Sequence, residues 1–360
     1  MNAAARPVMI MAGGTGGHVF PGLAVASVLR ERGLPVVWLG TRDGLESRLV
    51  PEAGLPMEFL EIQGLRGKGL TGWLLAPVRL TRAVWQAIGV LRRHRPRAVL
   101  GMGGYAAGPG GIAAWLLRRP LVLHEQNAVA GMTNRVLSRF ARRVLCGFPT
   151  DFPGNVLARV VGNPVREAIH DLPEPEVRYA GRSGRLRLLV VGGSLGAQVL
   201  NERVPAAVAM LPEEQRPEIR HQAGERTLQI AEDHYRRAGV EAEITPFIGD
   251  MAEAYAWADL VVCRAGALTV SELAAVGVAA CLVPLPQAVD DHQTANARFL
   301  SDRQAAVLLP QGELSPRRLA GLLEDYTTHR DSLRLMAERA RELASPRAAE
   351  DVADSCLEVA

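Results

Sequence analysis

Two stretches of this chain share one plan: an apolar run of strand character, a glycine-rich turn, and a helix-forming segment. The first lies near residues 8–30 and the second near 186–210. A glycine turn between a strand and a helix lets the backbone come close to a ligand. It also presents unpaired N–H groups and the positive end of the helix dipole to a phosphate. Repeated at this distance, the plan predicts an α/β protein of two similar doubly wound domains.

The rest of the chain fits that frame. Apolar runs of strand length at 8–11, 36–39, 98–101 and 121–124 alternate with helical patterns at 21–32, 72–93 and 108–117. A second series runs through strands at 186–191, 219–222, 242–246, 260–263 and 280–284, with a helix at 198–210. Such alternation argues for parallel sheets. The stretch 171–185, DLPEPEVRYAGRSGR, is rich in Pro, Gly and charge and reads as a linker. The expected division is residues 1–165 and 166–345, with a terminal helix at 346–360 packing back on the first domain. For 360 residues, two domains is also the ordinary count.

Charge separates the halves. Residues 1–167 hold 21 Lys+Arg against 9 Asp+Glu, or +12, and the remainder holds 20 against 29, or −9, giving the net +3. A basic first half suits an anionic partner such as phospholipid head groups or a pyrophosphate, and nothing points to nucleic acid. Lys68 is the sole lysine, which base composition explains best, a selected role being the lesser alternative. Four cysteines without a CxxC pair read as reduced core residues. The N-terminus lacks the apolar core of a signal peptide, and no run reaches the ~20 apolar residues of a spanning helix. The chain is therefore expected not to be integral to a membrane.

Five motifs carry chemistry. In AGGTGGHVFPGLAVA, residues 12–26, Gly14-x-Gly16 is followed by Val19 where a dinucleotide fingerprint needs its third glycine. The turn is a phosphate cradle or simply tight. His18 closes it, and a neutral imidazole there could take a hydroxyl proton; a structural histidine is the alternative. GGSLGAQVLNERV, 192–204, repeats the phosphate logic with Ser194 as a donor. In CRAGALTVSELAAVGVAA, 263–280, Glu272 sits in the early turns of a helix, suited to a ribose diol or to complementing the helix dipole. VLHEQNAVAGMTNR, 122–135, sets His124, Glu125, Gln126 and Asn127 after a strand end, where α/β folds place ligands. The fifth stretch, 69–95, interleaves Trp73, Leu75 and Trp85 with Arg79 and Arg82. It fits a membrane interface or an amphipathic core helix, and the charge of this half favours the membrane. Metal-ligand spacing is absent, so no metal and no other cofactor is expected.

Taken together and in order, AGGTGGHVFPGLAVA, GLRGKG, GMGGYAAGPGG, LHEQNAVAGMTN, VGNPVR, VVGGSLGAQVLN and CRAGALTVSE resemble the MurG glycosyltransferase family over nearly the whole chain. The resemblance implies a GT-B fold, two Rossmann-like domains facing a deep cleft. It implies a UDP-GlcNAc donor and, as acceptor, lipid I (undecaprenyl-pyrophosphoryl-MurNAc-pentapeptide). The implied location is peripheral, at the cytoplasmic face of the inner membrane, against anionic phospholipid. Carried over by residue, Ser194 and Arg166 would face the diphosphate, the backbone at Ile248 the uracil, and Glu272 the ribose. Ala267, Leu268, Thr269, Val270 and Ser271 would line the phosphate-side helix start, and Gln293 would meet the GlcNAc hydroxyls. Thr15, Gly16, Gly17 and Asn127 would lie across the cleft, near the sugar. His18 would position or deprotonate the acceptor. Lys68, Trp73, Leu75, Arg79, Arg82, Trp85 and Glu125 would serve the acceptor or the membrane. Where the family often has a Gln pair, this chain reads His292-Gln293.

The implied reaction is an inverting transfer of GlcNAc to the C4 hydroxyl of MurNAc, giving lipid II for peptidoglycan synthesis. Three other functions share parts of this pattern: an NAD(P)-dependent oxidoreductase, a UDP-GlcNAc 2-epimerase, and a nucleotide-sugar binder without catalysis.

Overall fold

The computed structural model describes residues 6–62, 76–154, 156–193, 196–286 and 291–360. Lys68, Trp73, Leu75 and Ser194 lie outside the described residues, as do the GLRGKG stretch and residues 287–290 before Gln293. The chain divides into two compact units, Met1–Arg166 with Ser345–Ala360, and Glu167–Ala344.

The first unit runs β1 (Val8–Ala12), α1 (Gly16–Glu31), β2 (Val36–Gly40), α2 (Glu46–Glu52), β3 (Met57–Phe59), α3 (Ala76–His94), β4 (Ala98–Gly103), α4 (Ala107–Leu116), β5 (Leu121–Glu125), α5 (Met132–Leu137), β6 (Arg143–Cys146) and β7 (Ala158–Val160). Its strands form one sheet in the order β3-β2-β1-β4-β5-β6-β7, with parallel neighbours throughout. β1, β2, β4 and β5 are buried along their whole length, as continuous apolar runs covered on both faces should be. On one face Ile10, Leu100 and Trp38 pack with Val25 and Leu29 of α1 and with Val352, Ala353 and Cys356 of the last helix, so the C-terminus closes the first core. On the other, Met9, Met11, Val99 and Leu123 pack with Ala87 and Leu91 of α3 and Ala113 of α4.

The second unit runs α6 (Glu167–His170), α7 (Pro175–Tyr179), β8 (Arg187–Val191), α8 (Gln198–Val208), β9 (Glu218–Gln222), α9 (Leu228–Ala238), β10 (Glu243–Thr245), α10 (Met251–Trp257), β11 (Leu260–Cys263), α11 (Ala267–Val276), β12 (Ala279–Leu282), α12 (His292–Ser301), β13 (Val307–Leu308), α13 (Pro316–Thr328) and α14 (Arg330–Glu342). The terminal helix, α15 (Ala348–Glu358), follows. The sheet order is β10-β9-β8-β11-β12-β13, again all parallel.

Three expectations need correction. The helix expected at 21–32 begins five residues earlier, at Gly16, so Pro21 lies inside α1. A proline ring crowds the carbonyl four residues back, here that of Gly17, where no side chain adds to the crowding. The linker read at 171–185 is a strap on the second unit. Arg178 donates from Nε to Pro173 O at 2.9 Å and from Nη2 to Val276 O at 2.8 Å. Tyr179 Oη donates to Asp259 O at 2.7 Å and accepts from Ala279 N at 3.1 Å. Finally, β3, β6, β7 and β13 carry no pattern strong enough to mark them; each has two to four residues.

All four cysteines are free and buried, and burial pushes the Cys146 and Cys356 thiols up to about 12.

Candidate active site

In each sheet the strand order reverses once, between β1 and β4 and between β8 and β11. Loops leaving the carboxyl ends of two such strands diverge to opposite faces and open a crevice, the place where doubly wound sheets hold ligands. Both glycine turns singled out from sequence leave the sheet there.

In the first unit, Thr15 is the N-cap of α1, and its hydroxyl lies 3.4 Å from Nδ1 of His18. The turn is wedged between two neighbours. On one side are Gly103 and Gly104, both with positive φ (104° and 83°). A Cβ at Gly103 would stand 2.8 Å from Cδ2 of His18, and one at Gly104 would collide with the carbonyl of Gly13. Only glycine lets β4 end this close to the turn, and the His18 ring lies over that glycine. On the other side is Glu46, fully buried, whose Oε2 accepts from Gly14 N at 2.9 Å. Its Oε1 accepts from Thr41 N at 2.9 Å and Thr41 Oγ1 at 2.7 Å. Sequence reading missed Glu46. The only signal was an acidic residue opening a short helix after the β2 end.

The polar cluster after β5 divides. Glu125 is 3% exposed. Its Oε1 accepts from Asn127 N at 3.0 Å and Asn127 Nδ2 at 3.2 Å. Its Oε2 accepts from Gly131 N at 3.0 Å and Asn134 Nδ2 at 2.9 Å. The carboxylate is thus committed to shaping the loop that displays Asn127, and a direct membrane contact for Glu125 does not fit its burial. His124 is committed to the fold: Nε2 donates to Gly162 O at 2.9 Å and Nδ1 faces Gln126 Nε2 at 3.1 Å. Burial pulls its pKa down to about 4, so the ring is neutral. Arg166 belongs to the first unit, where its guanidinium stacks 5.1 Å from the Phe20 ring of α1.

In the second unit, β8 is followed by Gly192 and Gly193, and α8 starts after Gly196. Gly196 has φ 76°, and a Cβ there would strike Thr227 Oγ1. After β11, α11 starts at Ala267 behind its N-cap Gly266, which is extended (φ −64°, ψ 145°) and offers no side-chain cap to the first N–H groups of the helix. Glu272 is 6% exposed and receives the Tyr255 hydroxyl on Oε2 at 3.1 Å, which fixes its rotamer. The Ile248 N–H is taken by Gln222 Oε1 at 3.2 Å, leaving its carbonyl as the backbone group with which to meet a base. Gln293, on the first turn of α12, accepts from Leu285 N at 3.0 Å. Two residues of the expected set point elsewhere. Val270 is fully buried with its N–H on Gly266 O, and the Ser271 hydroxyl donates back to Ala267 O at 3.0 Å. Their side chains serve the core and the helix, while Ala267, Leu268 and Thr269 form its first turn, Ala267 buried and the other two half-buried.

Of the residues assigned from sequence to the acceptor or a membrane interface, Arg79, Arg82 and Trp85 lie on α3. The helix buries Ala83, Ala87, Ile88, Val90 and Leu91, but Val78 is 66% and Trp85 65% exposed beside Arg79 and Arg82. Trp115 and Phe140, also exposed, stack with centroids 4.8 Å apart.

The chain matches the glycosyltransferase family 28 N-terminal domain over residues 8–146 and the glycosyltransferase family 28 C-terminal domain over residues 187–352. It is 66% identical, over 98% of its length and 99% of the relative's, to the UDP-N-acetylglucosamine--N-acetylmuramyl-(pentapeptide) pyrophosphoryl-undecaprenol N-acetylglucosamine transferase of Alkalilimnicola ehrlichii. It is 56% identical to the Marinobacter nauticus protein of that name, over 99% of the chain and 98% of the relative. Among solved structures it resembles Acinetobacter baumannii MurG, with TM-score 0.83 and 44% identity over 98% of this chain and 99% of that one. The two parallel sheets are those of the GT-B fold. With both family domains matched in order and full-length relatives this similar, the chain belongs to glycosyltransferase family 28, as a member of its MurG family.

Proposed function

We propose that the chain moves GlcNAc from UDP-GlcNAc to the C4 hydroxyl of the MurNAc unit of lipid I, with inversion at the anomeric carbon, giving lipid II. The observation that carries this is 66% identity across 98% of the chain to a transferase of that name. The second unit takes the donor. Uracil N3–H meets the Ile248 carbonyl, the ribose hydroxyls meet Glu272, and the diphosphate meets the N–H groups of Ala267, Leu268 and Thr269 together with Ser194. Gln293 reads the GlcNAc hydroxyls, and Arg166 adds a positive charge for the diphosphate.

The first unit takes the acceptor. His18, in the first turn of α1 just after the glycine turn, accepts the C4 hydroxyl proton as the oxygen forms its bond to C1 of GlcNAc. The C1–O bond to the β-phosphate breaks, and its electron pair leaves on UDP. One displacement of this kind passes through an oxocarbenium-like transition state and needs no covalent nucleophile. Helix N–H groups and Arg166 are suited to hold the charge that develops on UDP. Thr15, Gly16, Gly17 and Asn127 shape the sugar and acceptor pocket.

For the membrane, no helix among the described residues is long and apolar enough to cross a bilayer. Val78 and Trp85 on α3, beside Arg79 and Arg82, are the combination an anionic interface attracts. We read the protein as peripheral, at the cytoplasmic face of the inner membrane where lipid I is made available.

Two substitutions separate the roles. His18→Ala should lower turnover by on the order of 10²- to 10⁴-fold, the usual worth of a general base, with UDP affinity unchanged. Glu272→Ala should weaken UDP binding by roughly 10- to 100-fold, the loss of hydrogen bonds to a charged group. Calorimetry with UDP and a turnover assay with a short-chain lipid I analogue measure both. Wild-type turnover in the first variant, or an unchanged dissociation constant in the second, refutes the corresponding assignment.

A further inference from the structure

We propose that Glu46 is a positioning residue for the transfer, fixing the Gly13–Thr15 turn and with it the start of the helix that carries His18. This rests on the reading of that turn as the acceptor side of the reaction.

Glu46 is 0% exposed and forms no ion pair among the described residues. Burying a carboxylate is costly unless hydrogen bonds replace its water. Here they come from two loops at once: Gly14 N on Oε2, and Thr41 N and Oγ1 on Oε1. The carboxylate therefore ties the loop after β1 to the loop after β2. Gly13, Gly40 and Gly44 surround it so closely that a Cβ on any of them would meet the Glu46 side chain. Opposite, the Gly104 backbone closes on Gly13, so the turn is gripped from both sides.

The chemistry of the tie explains why an acid stands there. Two backbone N–H groups, on different loops, each need an acceptor, and a carboxylate supplies one oxygen to each. A glutamine of the same shape has a single acceptor oxygen. Whichever way its amide is turned, one N–H faces another N–H. If Oε1 keeps Thr41, Gly14 loses its partner, and the turn bearing Thr15 and His18 is released. A reacting group displaced by about 1 Å costs on the order of 100-fold in rate.

Glu46→Gln, Glu46→Asp and Thr41→Val test this in the full-length protein. Glu46→Asp keeps the charge and both oxygens but stands one carbon short of Gly14. Thr41→Val removes one hydrogen bond from the same carboxylate while leaving both backbone ties intact. With UDP-GlcNAc and a short-chain lipid I analogue, Glu46→Gln and Glu46→Asp are expected to lose turnover by roughly 10- to 100-fold. KM for UDP-GlcNAc should stay within about twofold, because the donor side is untouched. Thr41→Val should keep turnover within about twofold. Hydrogen exchange read by mass spectrometry should rise in Glu46→Gln over the peptide spanning the turn. Wild-type turnover in Glu46→Gln overturns the proposal, as does an equal loss in Thr41→Val or a loss without faster exchange at the turn. His18→Ala in the same assay tests the underlying reading separately: wild-type turnover there removes His18 as base, while the role of Glu46 is still decided by its own variants.

Discussion

His124 stands at the end of β5, where a polar side chain in this fold class usually meets a ligand, yet its ring is spent on the fold. It donates to Gly162 O and is held neutral by burial, with a pKa near 4. His221 in the second unit is alike: burial lowers its pKa to about 3, and the Tyr235 hydroxyl lies 2.9 Å from Nδ1. Both folded values lie below the ordinary 6.5. Between the two limits the unfolded chain holds protons that the folded chain does not. Stability is therefore fully present above about pH 6.5 and is lost as pH falls toward 4, at up to ~1.4 kcal/mol per pH unit for each ring. Denaturant unfolding at pH 7, 6, 5 and 4 measures the slope, and His124→Gln should reduce it. A flat profile across that window contradicts the buried neutral rings. His18, partly exposed in the first turn of α1, is a different kind of histidine, and only its surroundings show it. Type and position in the sequence mark both as candidates. Two hydrogen bonds and full burial distinguish the structural one.

At the scale of elements, sequence left α3 as a core helix or a membrane-facing one, and the proposed peripheral reading uses both of its faces. One face is buried, with Ala87 and Leu91 in the core, and another exposes Val78 and Trp85 beside Arg79 and Arg82. Under the proposed peripheral reading, the face carrying Trp85, 65% exposed, is the one that meets lipid. Trp85→Ser should therefore weaken co-sedimentation with phosphatidylglycerol vesicles by roughly 10-fold while leaving UDP affinity unchanged, since burying such a ring is worth about 1.5–3 kcal/mol. Unaltered vesicle binding contradicts a membrane role for this face. The glycine turns and long central strands were legible because their signals are local: a continuous apolar run, then glycines, then a helical period. The strap at 171–185 was not. Its prolines and charges resemble a linker, and only the folded chain shows Arg178 and Arg182 filling carbonyls at the ends of α11 and α10. Glu46 was hidden for a related reason. Its partners, Gly14 and Thr41, lie on separate loops that only the β1–β2 pairing brings together.

For the whole molecule, two parallel sheets each place a glycine turn at a reversal of strand order, which is the architecture that periodicity and turn spacing implied. Those features alone are equally compatible with a dehydrogenase or an epimerase. The choice of a hexosyl donor rests on the combined motifs and on full-length relatives. The charge difference between the halves, +12 against −9, is what a protein with an anionic lipid surface on one side would carry. The most direct measurement is the fate of UDP-GlcNAc labelled at C1, incubated with the full-length protein with and without a short-chain lipid I analogue. With the analogue, one UDP should be released per labelled disaccharide formed, and carbon NMR should show the new linkage as β, inverted from the donor. Without it, the donor should remain unchanged. A product with retained α configuration, or conversion of UDP-GlcNAc in the absence of acceptor, would contradict single-displacement transfer to lipid I.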